Sequence, residues 1–285
     1  MLCWGSAYVP SAWLVEGVPP LTSAAARLGT AGLLLLGYLA ARGRPLLPGV
    51  GWGIVAWLGF TQTAVFYGAT YWGIDAEGAG LAAVLANTDP LFVAALSVPL
   101  LGERLTGRQW AGLGLGFAGA GIAVSQRGLW PPQPTWGALV VVVGALSWGV
   151  GTITAVRQVR GTASPLALAG WQMVIGAAML AAAGALESGP RATGPREAAL
   201  VLVLAAIGSA LPLALFYTAL IGAPAGVVSA WFFLVPVVGV LTAWPLLGET
   251  PSGVLLAGMA GVSVGLWLVL AVPAGRRLVR SATDP

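Results

Sequence analysis

Apolar runs of about 20 residues follow one another along nearly the whole chain, and short breaks rich in Gly, Pro and Arg separate them. Of the 285 residues, 58% are hydrophobic and 8% are charged, and the mean hydropathy is +0.90. A soluble domain carries about 25% charged residues. Runs of this length are typical of transmembrane helices, whereas the strands of outer-membrane barrels alternate apolar and polar residues. The sequence therefore predicts an all-α membrane protein without a soluble domain.

The composition also excludes several kinds of site. The chain has no His and a single cysteine, Cys3, so we expect neither a metal site nor a disulfide framework. All 13 basic residues are Arg, and most lie in the breaks, where they orient helices rather than bind nucleic acid. Without Lys, the chain cannot form the phosphate-binding loop of ATPases. We therefore expect no cofactor, no nucleic-acid partner and no direct use of ATP.

The apolar runs predict ten transmembrane helices. The predicted spans cover residues 1–15, 20–41, 50–74, 78–101, 107–125, 135–156, 164–186, 197–221, 224–247 and 251–273. The polar stretch 187–196 is expected to be a solvated loop. The Pro-containing stretch 126–134 is expected to link two sets of five helices. We call residues 1–125 the first half, residues 135–273 the second half and residues 274–285 the tail.

The two halves carry a repeat. The segment PLLGERLTGRQWAG begins at Pro99, and PLLGETPSGVLLAG begins 146 residues later at Pro245. Aligned without gaps, residues 60–124 and 206–270 share 14 identities, which include the pairs Tyr71/Tyr217 and Pro90/Pro236. Because each half has an odd number of helices, the second half is expected to enter the membrane upside down.

The placement of Arg predicts the orientation, because short loops with basic residues stay in the cytoplasm. With a cytoplasmic N-terminus, the inner breaks and the tail hold nine Arg: Arg42, Arg44, Arg104, Arg108, Arg157, Arg160, Arg276, Arg277 and Arg280. The outer breaks hold three: Arg127, Arg191 and Arg196. Both termini are therefore predicted to be cytoplasmic.

Two five-helix halves, each with PLLGE before its last helix and Trp-Gly in its first, resemble the EamA branch of the drug/metabolite transporter superfamily. The resemblance covers nearly the whole chain, and the YddG-like amino-acid exporters are the group that it most resembles. It implies a ten-helix transporter of small metabolites, often an exporter, in the bacterial inner membrane. It also implies a substrate cavity between the halves.

Aromatic and polar side chains far from the span ends are the candidates for lining such a cavity. These predicted binding residues are Trp4, Tyr8, Gln62, Tyr67, Tyr71, Asn87, Asp89, Trp148, Tyr217 and Trp231. Aromatic side chains could stack on an apolar group or hold an ammonium by cation–π attraction. Ordinary packing and anchoring at the membrane surface are the alternative, and they account for most Trp and Tyr in membrane proteins.

Asp89 is the most informative single residue, because it lies near the middle of the span 78–101. A carboxylate at that depth is costly unless it is paired, protonated or facing water. Its counterpart in the second half is Val235, so the repeat does not require an acid. We expect Asp89 to bind a substrate amino group or to exchange a proton, with support from Asn87 and Thr88. A local hydrogen bond or an Arg partner is the alternative.

Arg27 is the second charge inside a predicted span, and its counterpart is the neutral Gln172. A structural role is favoured, by snorkelling to the membrane surface or by pairing with a carboxylate, while binding of a substrate carboxylate stays open. Pro90 and Pro236, at the centres of matching spans, are expected to kink their helices and act as hinges.

The repeated glutamates Glu103 and Glu249 suggest a gate or a coupling site. The favoured alternative is a carboxylate at the N-terminus of the following helix, where the helix dipole attracts negative charge. Four glycines with small-xxx-small spacing are expected to bring helices into close contact. They are Gly112, Gly116, Gly261 and Gly265.

These features together predict a secondary transporter that exports a small zwitterionic or amphipathic metabolite, such as an amino acid or an amine, by alternating access. A channel or a lipid scramblase of the same architecture is the alternative, and an intramembrane enzyme is a much weaker one. The expected partners are a small-molecule substrate and the lipid bilayer. Proton coupling and the oligomeric state stay open.

Overall fold

The described structure is helical throughout. The computed structural model describes residues 2–102, 104–124, 135–159, 164–189, 192, 194–215 and 234–270. Its α-helices are α1 (Leu2–Ser6), α2 (Tyr8–Val15), α3 (Pro20–Ala41), α4 (Trp52–Leu58), α5 (Phe66–Glu77), α6 (Ala79–Ala86), α7 (Asp89–Leu101), α8 (Gly107–Val124), α9 (Trp136–Val159), α10 (Pro165–Gly184), α11 (Pro195–Ala205), α12 (Leu234–Leu247) and α13 (Gly253–Leu270). Within these ranges there is no β-strand, which confirms the predicted all-α class.

Six helical stretches of the described ranges are long and apolar enough to cross a membrane. They are Pro20–Ala41, Ala79–Leu100, Trp136–Ala155, Pro165–Gly184, Pro195–Leu215 and Gly253–Leu270. At about 1.5 Å per residue, 20 residues cover the hydrocarbon core of about 30 Å. The chain is therefore built as a multi-pass membrane protein, and the number of ten crossings stays a prediction.

The first predicted span, 1–15, is not one continuous helix. The chain makes a tight turn at Ala7, whose N–H donates to the Trp4 carbonyl oxygen at 3.2 Å. Pro10 has no N–H, so the carbonyl of Ser6 lacks the partner that a continuous helix would supply. The result is a break between α1 and α2.

Two pairs of helices from opposite halves pack antiparallel. In the first pair, α3 and α10, a methyl group on Gly32 would lie 2.7 Å from the Gly170 carbonyl oxygen, and Gly184 lies beside Thr22 at the other end. Successive residues of α3 therefore contact α10 in reverse order, so the two helices are antiparallel. Because α3 and α10 occupy matching places in the two halves, this is the arrangement that an inverted repeat would produce.

The second pair is α8 and α13, and it depends on glycine. A methyl group on Gly112 would lie 2.8 Å from the Gly265 carbonyl oxygen, and one on Gly265 would lie 2.5 Å from the Cα of Gly116. One on Gly261 would lie 2.8 Å from the Cα of Gly119. The helices thus approach too closely for any side chain at these positions, which confirms the predicted packing role of the spaced glycines.

Each half also contains a π-helical segment at a matching place. The first π segment is Gly59–Val65, between α4 and α5, and the second is Ala206–Ala210, after α11. In the repeat alignment, residues 206–210 match residues 60–64. A π-helical turn inserts an extra residue and leaves carbonyl groups with altered partners, and such turns are frequent at functional sites.

Glu249 joins the two halves at one end of the molecule. Its carboxylate accepts hydrogen bonds from the N–H groups of Ala79 and Gly80, both at 2.8 Å, at the N-terminus of α6. The favoured expectation, that Glu249 serves the following helix, is therefore wrong. Ser252 caps that helix instead, because its Oγ accepts from the Leu255 N–H at 3.0 Å.

Glu187 forms a second bond of the same kind. Its carboxylate accepts from the N–H groups of Leu21 at 2.9 Å and Thr22 at 3.0 Å, at the N-terminus of α3. Both glutamates belong to the second half, and both helices belong to the first. We call Glu187 and Glu249 the two clamps. Glu103, the counterpart of Glu249 in the repeat, lies outside the described residues.

Candidate functional site

A cavity lies between helices of both halves, at the depth of the middle of the span Ala79–Leu100. Its volume is about 70 Å³, which is enough for about five water molecules. Its wall consists of Trp4, Ala7, Tyr8, Ser11, Arg27, Phe66, Tyr67, Thr70, Tyr71, Ile74, Asn87, Asp89, Trp148 and Val235. We call it the main cavity.

The main cavity brings most of the predicted binding residues together. Those on its wall are Trp4, Tyr8, Tyr67, Tyr71, Asn87, Asp89 and Trp148. Gln62 lines a smaller neighbouring cavity instead. Tyr217 and Trp231 lie outside the described residues, so their placement stays a prediction. Two pairs of residues that match in the repeat also lie on this wall, namely Trp4 with Trp148 and Asp89 with Val235.

The span that carries Asp89 is broken next to the main cavity. Helix α6 ends at Ala86, and α7 begins at Asp89 after a turn at Asn87 and Thr88. The sequence predicted a kink at Pro90, so the interruption lies just before the expected position. Pro90 occupies the first turn of α7, where its missing N–H costs no helical hydrogen bond. The described part of α12 contains Pro236 near its start, and the residues before Leu234 lie outside the described ranges.

Asp89 is a buried carboxylate without a compensating charge. Only 7% of the residue is exposed, and no ion pair within the described residues includes it. It begins α7, where the partial positive charge of the helix N-terminus favours an anion. A half-helix that starts in mid-membrane beside a cavity is an arrangement typical of transporter binding sites.

Asn87 and Thr88 do not bond to the Asp89 side chain, contrary to the expected support. Asn87 donates from Nδ2 to the Ala83 carbonyl oxygen at 2.7 Å and to the Tyr8 hydroxyl at 3.2 Å. Thr88 donates from Oγ1 to the Leu85 carbonyl oxygen at 2.7 Å. The two side chains bind carbonyl groups near the end of α6, so they stabilise the break rather than the carboxylate.

Arg27 lies on the wall of the main cavity and neither snorkels nor pairs with a carboxylate within the described residues. It is 4% exposed. Its guanidinium donates from Nε to Ser209 Oγ and from Nη2 to the Gly208 carbonyl oxygen, both at 2.9 Å, in the second π segment. These acceptors are neutral, so they orient the guanidinium and leave its charge uncompensated.

Ser11 and two tyrosines also surround the Arg27 guanidinium. Its Nη1 donates to Ser11 Oγ at 3.2 Å and to the Tyr71 hydroxyl at 3.4 Å. Its Cζ lies 5.3 Å from the centre of the Tyr67 ring, within the range of cation–π attraction. The guanidinium is therefore held in one place before any ligand arrives.

An aromatic group from both halves forms another side of the wall. The ring centres of Phe66 and Trp148 are 4.7 Å apart, and those of Tyr67 and Trp148 are 6.4 Å apart. Phe66 and Tyr67 make an edge-to-face pair at 5.1 Å. Such a wall favours an apolar or aromatic group of a ligand over a strongly hydrated one.

Gln62 lies in the first π segment and does not line the main cavity. Its Nε2 donates to Thr152 Oγ1 at 3.0 Å, and the Thr61 carbonyl oxygen accepts from Ser147 Oγ at 3.0 Å. Tyr67 lines both cavities, whereas Gln62 lines the smaller one and Tyr71 the main one.

Sequence reasoning did not select Ser11, Arg27 or Phe66 as binding residues. For Arg27 the signal was present, since an Arg inside an apolar span points to function as readily as to structure. Ser11 and Phe66 had no such signal, because serine and phenylalanine are ordinary in membrane helices. Within the described residues, no three His, Cys, Asp or Glu side chains come together as metal ligands.

Comparisons with known proteins match both halves of the chain to one transporter family. The model of the EamA-like transporter family matches residues 1–125 and 135–271. A chloroplastic WAT1-related protein of Arabidopsis thaliana is 30% identical over 281 residues, which cover 93% of this chain and 66% of that protein. The uncharacterized inner membrane transporter YedA of Escherichia coli is 29% identical over 294 residues, which cover 99% of this chain and 94% of that protein.

Two further matches extend the comparison. A probable amino-acid metabolite efflux pump of Salmonella typhimurium is 27% identical over 280 residues, which cover 94% of this chain and 91% of that protein. One crystal structure superposes with a TM-score of 0.66 at 21% sequence identity, with 94% of each chain covered, and supports the fold alone. The family model, YedA and the Salmonella protein are all named for transport, so the protein is a membrane transporter and not an enzyme. With the family model matched over both halves, the chain belongs to the EamA-like transporter family.

Proposed function

We propose that the protein is a secondary transporter that exports a small zwitterionic or amphipathic metabolite, such as an amino acid, by alternating access. One observation carries the proposal: Asp89 and Arg27 line the same cavity, and neither has an ion-pair partner within the described residues. A substrate ammonium would bind Asp89, and a substrate carboxylate would bind Arg27. The substrate side chain would lie against the aromatic wall. A zwitterion meets both uncompensated charges at once, which an amine or an acid cannot do.

Alternating access would come from two inverted five-helix halves, residues 1–125 and 135–273. The antiparallel packing of α3 with α10 and of α8 with α13 supports this arrangement, as do the matching π segments. We infer that the halves rock about the main cavity, with Pro90 and Pro236 as hinges. The clamps would then have to release when the cavity opens at their end.

The proposed location is the bacterial inner membrane, with both termini and the tail in the cytoplasm. The Arg distribution supports this orientation, and the Salmonella relative named as an efflux pump supports the outward direction. A reporter that is active only in the periplasm, fused after Pro285, should stay inactive. An active fusion would contradict the orientation.

Counterflow in proteoliposomes tests the proposed mechanism. Purified protein is reconstituted, the vesicles are loaded with unlabelled amino acids one at a time, and uptake of the labelled amino acid is followed. A carrier that works by alternating access should be accelerated by substrate on the opposite side. A channel or a lipid scramblase of the same architecture would show no such acceleration, and that result would reject the proposal.

Proton coupling is a further part of the proposed mechanism, through Asp89. If the carboxylate exchanges a proton during the cycle, an imposed pH gradient should drive accumulation of the substrate. The Asp89→Asn variant should then lose that response even where residual exchange persists. Equal accumulation with and without the gradient would leave a uniporter or exchanger as the mechanism.

A further inference from the structure

The smaller cavity beside the main cavity contains a buried polar atom that has no partner. Gln172, on α10, is 3% exposed, and its Oε1 accepts no hydrogen bond within the described residues. Leaving such an atom unpaired in a dry environment is unfavourable, because the atom loses its hydrogen bonds to water and gains none in return. Buried polar atoms are nearly always satisfied in native structures, so an exception calls for a ligand or an ordered water.

Gln172 lies on the wall of a small pocket that is mostly apolar and contains a few polar side chains. Its wall consists of Trp4, Gln62, Thr63, Tyr67, Trp148, Gln172, Met173, Ser209 and Leu213. The volume of the pocket is about 10 Å³, which is close to that needed by a single water molecule. One hydroxyl or one amide NH₂ group therefore fits, whereas a whole amino acid does not.

This pocket adjoins the main cavity, and the two share three lining residues. Trp4, Tyr67 and Trp148 line both. Ser209 lines the pocket and also accepts the hydrogen bond from Arg27 Nε at 2.9 Å. A ligand whose charged groups lie at Asp89 and Arg27 could thus extend past the aromatic side chains toward Gln172.

The repeat explains why a polar residue stands at this place. Gln172 is the counterpart of Arg27, and each lies against the π segment of the opposite half. Arg27 bonds to Gly208 and Ser209 in the second π segment. The Gln172 backbone carbonyl lies beside Gly59 in the first, where a methyl group on that glycine would be 2.9 Å away. The first half thus presents a cation at this position, whereas the second presents a neutral amide.

We propose that the pocket at Gln172 is a second subsite of the transport path, which binds a hydroxyl or amide donor on the substrate side chain. The inference rests on the proposed function, because it needs the zwitterion at Asp89 and Arg27. It adds a substrate class, namely amino acids whose side chain ends in a hydrogen-bond donor. A site that offers a buried acceptor discriminates strongly against an analogue without the donor, because the acceptor is then left unpaired.

Binding of matched amino acids to the full-length protein in detergent tests the subsite. Isothermal titration calorimetry compares three pairs that differ by a donor at increasing distance from Cα: threonine with valine, glutamine with methionine, and tyrosine with phenylalanine. For at least one pair, the member with the donor should bind about 10-fold more tightly or better.

Two variants separate the roles. Gln172→Met keeps the length and approximate volume of the side chain and removes the acceptor, so the preferred pair should bind within about 2-fold of each other, mainly through weaker binding of the donor. Gln109→Met makes the same chemical change at the N-terminus of α8, away from both cavities, and should keep the wild-type ratio.

The outcomes distinguish the subsite from the function on which it rests. If wild-type protein binds amino acids without discriminating any pair, the Gln172 pocket holds only water and the subsite is wrong, while the proposed function stands. If Gln172→Met keeps the full discrimination, the subsite is likewise wrong. If wild-type protein binds none of the six amino acids, both proposals fall.

Discussion

Glu249 and Asp89 both lie at the N-terminus of a helix, and they differ in what surrounds them. The Glu249 carboxylate accepts two backbone hydrogen bonds at 2.8 Å, one at each oxygen, so it is bound within the protein. No side chain within the described residues donates to Asp89, which lines a cavity. A carboxylate held by the protein at both oxygens stabilises the fold, whereas one without an ion-pair partner beside a cavity is available to a ligand.

The arginines show the same contrast. Arg196 pairs with Glu16 at 3.1 Å on the surface, where both side chains are more than half exposed. Arg27 is buried among neutral acceptors that hold its geometry without cancelling its charge. The main cavity therefore contains one negative and one positive side chain, and neither charge is compensated by an ion pair within the described residues. Substitutions at these four residues and their neighbours should therefore separate structural charges from ligand-binding ones.

Asp89→Asn should lower transport by about 100-fold, because it removes a charge-assisted hydrogen bond to the substrate ammonium. The side chain keeps its shape, so the melting temperature in detergent should change little. Initial rates of exchange in proteoliposomes and a thermal unfolding curve check both parts. Wild-type exchange rates in the variant would place Asp89 among the structural charges.

Glu249→Ala should lower the free energy of unfolding by about 2 kcal/mol, because two N–H groups at the start of α6 lose a charged acceptor. Unfolding in mixed micelles measures the change. Glu16→Ala is the matched control, since an exposed ion pair contributes less than about 1 kcal/mol. Equal effects of the two variants would argue that the Glu249 clamp does not stabilise the fold.

Arg27→Lys should weaken the binding of a zwitterionic amino acid by about 10-fold, although the charge is kept. A lysine ammonium cannot reproduce the fork that bonds Ser209 and Gly208, so the charge loses its fixed position. Titration calorimetry measures the affinity. A variant that binds as tightly as wild type would show that Arg27 does not contact the substrate.

Tyr71→Phe should weaken binding by about 3-fold to 10-fold, because the Arg27 guanidinium and the Ser11 hydroxyl lose a shared acceptor. Tyr38→Phe removes a hydroxyl from an exposed ring and serves as the control. If both variants bind like wild type, the Tyr71 hydroxyl does not help to position Arg27.

Much of the architecture follows from local sequence. The apolar spans predict the membrane class, and the glycine spacing at Gly112 and Gly261 predicts close helix contacts, since both depend on residues within one helix. Most of the aromatic wall follows too, because Tyr67 and Trp148 lie far from span ends and Trp4 is the counterpart of Trp148 in the repeat. These features need no knowledge of which helices meet.

Other features depend on tertiary contacts that no local pattern encodes. The partner of Glu249 lies 170 residues away in the other half, and the acceptors of Arg27 lie 181 and 182 residues away. The place of the break before Pro90 depends on the side-chain bonds of Asn87 and Thr88. Gln62 lies in a π segment and bonds to Thr152 of the other half, 90 residues away. In each case, a long-range or irregular backbone contact decided the outcome.

Three ligands test whether the main cavity holds two uncompensated charges: L-valine, isobutylamine, which lacks the carboxylate, and 3-methylbutanoate, which lacks the ammonium. Titration calorimetry on the full-length protein measures their affinities. Two uncompensated charges in one cavity predict that L-valine binds about 10-fold more tightly than either analogue, and that Asp89→Asn removes its advantage over 3-methylbutanoate. Equal binding of L-valine and both analogues by wild-type protein would contradict the account.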